Sequence, residues 1–209
     1  MNSSCRAVTP IVLAAGEGKR YQELKQLASI DGKPVLEHVL NPIRKIEWAF
    51  TPLVVLGYEK DRIEDSLDFR GFRVIENESW RDGMSTSLKR GVRAAEPESS
   101  GYLLFLGDMP LIGTSLIEAV LGRARMSASM VAPIYQGQRG FPVYLAKKWK
   151  QAILDDVFGD RGAREILANN EEELSLISTE DRGVVLDLDS RDDLDRIRTY
   201  LTEGRKNGF

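Results

Sequence analysis

Ile11-Val12-Leu13-Ala14-Ala15-Gly16-Glu17-Gly18-Lys19-Arg20, with Lys25 following in the next turn of chain, decides the reading of this sequence. An apolar run ends in paired alanines, and a glycine-spaced loop carrying cations follows it. Read physically, this is a buried strand feeding a loop that holds a polyphosphate. Small residues let backbone approach a ligand closely, and glycine permits unusual φ/ψ. Successive N–H groups in such a loop form an anion-binding nest. Lys19, Arg20 and Lys25 add charge-assisted hydrogen bonds to phosphate oxygens. Two familiar phosphate loops are excluded. A Walker A loop ends in Lys-Ser or Lys-Thr, but Lys19 is followed by Arg20 and the glycine spacing is too short. A Rossmann fingerprint needs a third small residue where Tyr21 stands. The plain alternative is a tight strand-to-helix turn with solvated cations.

Outward from this loop, apolar runs alternate with helical patterns. Strands are expected at Val8–Leu13, Pro52–Leu56, Arg73–Ile75, Tyr102–Leu106 and Met130–Ile134. Between them the pattern predicts helices at Pro34–Ile46, Lys60–Leu67, Ser85–Ala95 and Thr114–Ala124. Such alternation argues an α/β fold with a mostly parallel sheet between helices. Pro34 suits a first helical turn. Asn41-Pro42 is expected to kink or restart its helix, and Ser85 or Thr86 to cap the next one. After Tyr135 the alternation breaks. Gln138, Arg139 and their flanking glycines read as a loop, Phe141–Leu145 as a strand, and Lys147–Val157 and Ala163–Ala168 as helices. This region is expected to lie over one end of the sheet. Ser190 with Asp193 resembles the start of a closing helix over Arg191–Leu201, and the polar tail Glu203–Phe209 is expected to fray.

Composition narrows the function classes. A chain of 209 residues is expected to form one domain with a full core. A formal net charge of −3 gives no broad footprint for nucleic acid, so any anion site is local. Cys5, the single cysteine, makes no internal disulfide and argues a reducing compartment. No apolar run approaches the roughly twenty residues of a membrane span. The polar start Met1–Arg6 does not read as a signal peptide, and a cytoplasmic protein is expected.

Two further stretches carry chemistry. In Leu104-Phe105-Leu106-Gly107-Asp108-Met109-Pro110 a buried strand ends and a carboxylate emerges. Ligands of open α/β sheets bind at that end. Asp108 is placed to hold Mg²⁺, which takes few carboxylates besides substrate phosphates. The plain alternative is an Asx-turn before proline. In Val185-Leu186-Asp187-Leu188-Asp189-Ser190 the carboxylates alternate with leucines, so on a strand both face one way. With Asp108 they would form a metal site; otherwise they cap the last helix. His38, the only histidine, lies in a helical pattern without partners and reads as structural. Trp80 lines a site or packs, whereas Trp48 and Trp149 read as anchors.

Together these stretches reach a resemblance. The loop from Leu13 to Lys25, Asn77 and Trp80, Gly83-Met84-Ser85-Thr86-Ser87, Gly107-Asp108-Met109-Pro110, Arg139-Gly140-Phe141-Pro142-Val143, Gly159-Asp160-Arg161-Gly162-Ala163-Arg164 and Asp187-Leu188-Asp189 occur in this order. The order resembles the molybdenum cofactor cytidylyltransferases and other MobA-like NTP transferases, from about Val8 to Leu201. The resemblance implies one nucleotidyltransferase domain of GT-A-like, Rossmann-like fold. It divides the chain into a nucleotide part at about 7–135, an acceptor part at about 136–189 and a closing helix at 190–202. By it, Leu13, Ala14, Ala15, Gly16, Gly18 and Lys19 belong to the nucleotide loop. Arg20 and Lys25 serve the triphosphate and catalysis, and Gly83 and Ser87 the base. Asp108 and Asp189 hold Mg²⁺, with Asp187 the near alternative, and Arg139 and Gly140 face the acceptor. The implied reaction is cytidylyl transfer from CTP to the terminal phosphate of molybdopterin, serving a molybdenum hydroxylase apoenzyme of xanthine dehydrogenase type. Rival readings are a non-catalytic cofactor-delivery protein, and a transferase using GTP or another phosphorylated acceptor. The chain departs from the family at Gln22, where glycine is usual, and at Phe141, where histidine is usual. Glycine stands at the position of Ala15 in the guanylyltransferase branch. The Ala15 methyl is therefore expected to narrow the base site in favour of a pyrimidine.

Overall fold

Val8–Leu13 forms strand β1, and all six of its residues are buried. A strand buried at every position has both faces covered, as in parallel sheets flanked by helices. The computed structural model describes residues 7–206 except 19, 20, 22, 23 and 127. In chain order the elements are β1, β2 (Ser29–Ile30), β3 (Lys33–Pro34), α1 (Val35–Arg44), β4 (Leu53–Leu56), α2 (Lys60–Ser66) and β5 (Arg73–Glu76). Then come α3 (Met84–Ala94), β6 (Gly101–Leu106), α4 (Thr114–Ala124), β7 (Met130–Tyr135), β8 (Gln138–Arg139) and β9 (Val143–Ala146). The chain closes with α5 (Lys150–Asp156), α6 (Ala163–Asn169), β10 (Leu174–Ser178) and α7 (Arg191–Lys206).

The sheet order is β10-β7-β9-β6-β1-β4-β5, with β8 pairing outside this path on β7. β1 lies parallel to both β4 and β6, β4 parallel to β5, and β10 parallel to β7. β9 alone within that row runs antiparallel to its neighbours β6 and β7. The sheet is thus mixed and mostly parallel, as the alternating pattern implies. Its main core joins the strands to α1, α3, α4 and α5. A second cluster packs Tyr21, Ile30 and Val35 against Leu188, Leu194 and Ile197, which fastens the start of α7 beside the first loop.

Several expectations are corrected. Pro42 does not restart α1, which runs without a break from Val35 to Arg44 and ends two residues past the proline. Neither Ser85 nor Thr86 caps α3; Gly83 does, in a left-handed conformation (φ 102°). The region after Tyr135 does not lie over one end of the sheet. It enters the sheet, with β9 between β6 and β7 and β10 beyond β7. The loop at Gln138 and Arg139 forms a short hairpin strand. The strand expected at Phe141 starts at Val143, past Pro142, which has no N–H to give a ladder. Asp187 and Asp189 do not sit on a strand: a short 3-10 helix (Arg182–Val185) precedes them, and 186–190 is irregular. Helix α7 continues through Lys206, past the start of the expected fraying tail.

Candidate active site

Strand order reverses direction at β1. From β1 the chain moves to β4 and β5 on one side, and then crosses back to β6 on the other. Ligands of open α/β sheets bind in the crevice that such a reversal opens at the carboxyl ends of the strands. Here those ends are Leu13 and Leu106, register partners in the sheet. The cleft beyond them measures about 420 Å³ and is lined by Ala14 to Gly18, Lys25, Gln26, Trp80, Gly83, Ser87, Asp108 and neighbours.

Lys25 spans the floor of this cleft. Its ammonium donates to Asp108 Oδ2 at 2.6 Å and to Asp189 Oδ1 at 3.0 Å. All three side chains are largely sheltered from solvent. Burial alone would lower the ammonium's pKa, but Asp108 and then Asp189 outweigh it and hold Lys25 above its ordinary value. The Lys25 stem runs across Gly18, where a Cβ would stand 3.0 Å from Lys25 Cγ. Residues far apart in sequence meet here because the Leu188 N–H donates to the Asp108 carbonyl at 2.9 Å, which delivers Asp189 beside Asp108. Asp193 accepts from the N–H groups of Asp189 (3.3 Å) and Ser190 (2.9 Å) and so fixes the turn. Asp187 carries a raised pKa, first from burial and then from Asp108 and Asp189.

The other wall joins Gly83-Met84-Ser85 to Gly159-Asp160. The Ser85 N–H donates to the Gly159 carbonyl at 2.8 Å, and the Met84 N–H to Asp160 Oδ1 at 3.3 Å. Any side chain at Gly83 would meet the Gly159 backbone at 2.5 Å. The first turn of α3 therefore takes its caps from a distant loop, and Ser87 faces the cleft one turn further on.

Gln26 carries a structural role that sequence reading missed. It is buried, and its amide donates to the Ala14 carbonyl at 3.0 Å and the Gly16 carbonyl at 2.8 Å, holding the loop in its curve. A glutamine beside a lysine reads as surface; its only signal is position inside the loop motif. Lys19 and Arg20 lie outside the described residues, as does Gln22. Arg139 and Gly140 do not line the cleft. Arg139 pairs with Glu171 at 2.9 Å. A side chain at Gly140 would collide with the Val184 carbonyl, and its N–H donates to the Pro133 carbonyl. Phe141 is a core residue. Ala15 lines the cleft beside Gly16 but is only 3% exposed, with its methyl packed against Gly57. His38 Nε2 bonds the Ile30 carbonyl at 2.9 Å, as a structural histidine does. The indoles of Trp48 and Trp149 donate to the Ile43 carbonyl and Ser129 Oγ, which makes both anchors.

The donor set suits a hard divalent cation. Asp108 Oδ1 is buried and has no hydrogen-bond partner among the described residues. Such an atom is costly unless something positive meets it. Among the described residues no group of three or more His, Cys, Asp or Glu side chains is arranged to hold a metal. Two carboxylates plus ligand phosphates remain the arrangement Mg²⁺ accepts.

Residues 10–174 match the MobA-like NTP transferase domain. The chain belongs to that family. Among curated proteins it is 29% identical over 142 residues to the bifunctional protein GlmU of Symbiobacterium thermophilum, covering 67% of this chain but 30% of GlmU. It thus spans under a third of that relative's length. It is 27% identical over 198 residues to nicotine blue oxidoreductase of Paenarthrobacter nicotinovorans, covering 91% of this chain and 96% of that protein. Among solved structures, the manganese complex of Rv0371C from Mycobacterium tuberculosis H37Rv superposes with a TM-score of 0.80 at 21% identity, covering 92% and 98% of the two chains. At that identity the likeness bears on the fold. Among the described residues no helix is long and apolar enough to cross a membrane.

Proposed function

We propose that this MobA-like protein transfers a cytidylyl group from CTP to the terminal phosphate of a molybdopterin-type acceptor. The observation that carries the reading is the Lys25 ammonium held between Asp108 and Asp189 at the switch point of the sheet. An acceptor phosphate oxygen attacks the α-phosphorus, the bond to the β-phosphate oxygen breaks, and pyrophosphate leaves. No proton need be removed in the transition state, since the second pKa of a phosphate monoester is about 6. The absence of a histidine in the cleft is therefore no obstacle.

Catalysis in this reading is positioning and charge neutralisation. The loop Ala14 to Gly18, curved by Gln26, offers backbone N–H groups to the triphosphate. Arg20 and Lys19 extend that contact, and Lys25 turns toward the α-phosphate as negative charge spreads there. Asp108 and Asp189 would hold Mg²⁺, with Asp187 in reserve, and the ion would supply positive charge to the phosphates. Ser87 and the backbone at Gly83 meet the cytosine edge. The chain works as one domain, its acceptor side contributed by the part after Tyr135. Arg139 and Gly140, which do not line the nucleotide cleft, serve the acceptor, and a molybdenum hydroxylase apoenzyme receives the product in the cytoplasm.

The full-length likeness to a protein named an oxidoreductase favours a second reading, in which the same cleft serves a redox reaction. One assay separates the two. Purified protein is incubated with CTP, Mg²⁺ and molybdopterin, and pyrophosphate is measured; nicotinamide nucleotide absorbance is followed with a quinonoid dye in parallel. Pyrophosphate release that depends on the acceptor supports the transferase. Nicotinamide turnover without pyrophosphate sinks it, and release of pyrophosphate with no acceptor but a sugar phosphate moves the proposal to that acceptor.

A further inference from the structure

Asn77 follows β5 directly and is buried behind the cleft wall. Its own N–H donates to the Leu56 carbonyl at 2.8 Å, which fixes its backbone to the end of β4. Its side-chain oxygen accepts from the Ser79 N–H at 3.2 Å. Only an oxygen can face that N–H, so the amide has one orientation. Its nitrogen then gives hydrogens to Thr86 Oγ1 and Ser87 Oγ, both at 2.9 Å. Thr86 spends its own hydrogen on the carbonyl of Gly83 (2.8 Å) or Ser79 (3.0 Å). Ser87 Oγ has accepted from Asn77, and its hydroxyl hydrogen has no acceptor among the described residues. Ser87 borders the cleft, so that hydrogen is offered to whatever lies there.

We propose that Asn77 is a positioning residue that sets the base preference: it holds the Ser87 hydroxyl as a hydrogen donor toward the cleft, selecting the lone pair at N3 of cytosine over the N3–H of uracil. This inference rests on the reading of the cleft as a nucleotide site. Against uracil, the second lone pair of Ser87 meets the N3–H only if the hydroxyl hydrogen turns from the cleft, where no acceptor is found among the described residues, so one donor is left without a partner and UTP is disfavoured by about tenfold. The O2 acceptor, common to both bases, cannot make this distinction. An O4 contact would reverse it.

The test compares equilibrium binding of CTP and UTP, each with Mg²⁺ and without acceptor, by calorimetry on the full chain and two variants. Asn77→Asp is nearly isosteric and still accepts from the Ser79 N–H. The new carboxylate also accepts from Ser87, whose hydrogen turns inward and whose lone pairs turn to the cleft. Its added charge weakens both nucleotides alike, so the ratio of affinities is the readout. The wild type is expected to favour CTP by about tenfold or more, and Asn77→Asp to lower that ratio by about tenfold. Ser87→Ala is expected to bring the ratio close to one. A CTP preference that survives within about twofold in both variants overturns the proposal, as does a wild type that favours UTP or neither base. If Asn77→Asp fails to fold, Ser87→Ala decides by the same ratio. A wild type that binds neither nucleotide overturns the transferase reading itself; CTP-dependent pyrophosphate release with an unmoved ratio overturns this inference alone.

Discussion

Lys25, Asp108 and Asp189 form a unit in which one ammonium serves two carboxylates before any ligand arrives and leaves Asp108 Oδ1 without a hydrogen-bond partner among the described residues. Asp108→Asn keeps the size of the side chain and removes the charge that both the ammonium and a divalent cation require. The residue stands past the end of β6 and outside the sheet ladder, so the melting temperature should stay near that of the wild type. Turnover should fall by about 10²–10³, the scale of losing one preorganised electrostatic group. Near-normal turnover with Mg²⁺ would remove Asp108 from the site. Lys25→Met should reduce turnover more than CTP affinity, because the charge matters most as the α-phosphate expands. Equal losses in turnover and affinity would make Lys25 a plain triphosphate anchor. At this scale Lys25, Asp108 and Asp189 are legible as a motif, but Gln26 and Asn77 are not. Their roles depend on which carbonyls and hydroxyls the fold sets against them, and no spacing rule reports that.

Helix α7 illustrates how an element positions a distant carboxylate. Ser190 and Asp193 form a reciprocal cap: Asp193 accepts from the Ser190 N–H at 2.9 Å, and the Asp193 N–H donates to Ser190 Oγ at 3.3 Å. Tyr200 on the same helix donates to Asp181 at 2.6 Å, and burial with that bond pushes its phenol up to about 12. Asp193→Ala should cost about 1 kcal/mol, or about 2–4 °C in melting temperature. It should also slow turnover, since Asp189 loses its N–H anchor. Burial alone would raise the Asp193 pKa, but the Ser190 hydroxyl and the N–H groups of Asp189 and Ser190 outweigh it and hold it below 3.8. A depressed carboxylate contributes stability above its unfolded value and loses it as pH falls through the folded one. The gap between wild type and variant should thus be full at neutral pH and close in acid. A gap that is constant with pH would mean the carboxylate is not the capping group. The Ser190–Asp193 spacing makes this cap readable in sequence. The main-sheet strands up to Tyr135 were readable too, β1, β4 and β6 because buried parallel strands show as unbroken apolar runs, whereas the two-residue strands β2 and β3 were not. Beyond it, β10 is half exposed at a sheet edge and β8 has two residues, so neither leaves such a run.

Across the whole molecule, the reversal at β1 sets the first loop and Asp108 at one crevice, and Lys25 joins Asp108 to Asp189. In the proposed reaction, a divalent cation alone must displace that ammonium and gains only two carboxylates; a nucleotide alone meets Asp108, Asp187 and Asp189 with its own negative charge. Together the two ligands cancel, and the ammonium has phosphate oxygens to turn to. Binding should therefore be strongly linked. Any ligand specific for the folded state raises stability by about 2.7 kcal/mol at a hundred times its Kd. For a chain of this size that is about 5–10 °C in melting temperature. Thermal melts are expected to show this rise for CTP with Mg²⁺ or Mn²⁺, and a rise several times smaller for either ligand alone. Chelation of the metal should cut the gain back to that of CTP alone while leaving the unliganded melting temperature unchanged, because Lys25 already pairs with Asp189 and one oxygen of Asp108 in the metal-free fold. A full shift from metal alone would show that Lys25 does not guard the carboxylates. A full shift from CTP in the presence of chelator would show that the loop binds triphosphate without them, and Asp108 and Asp189 would lose their place in the proposed mechanism.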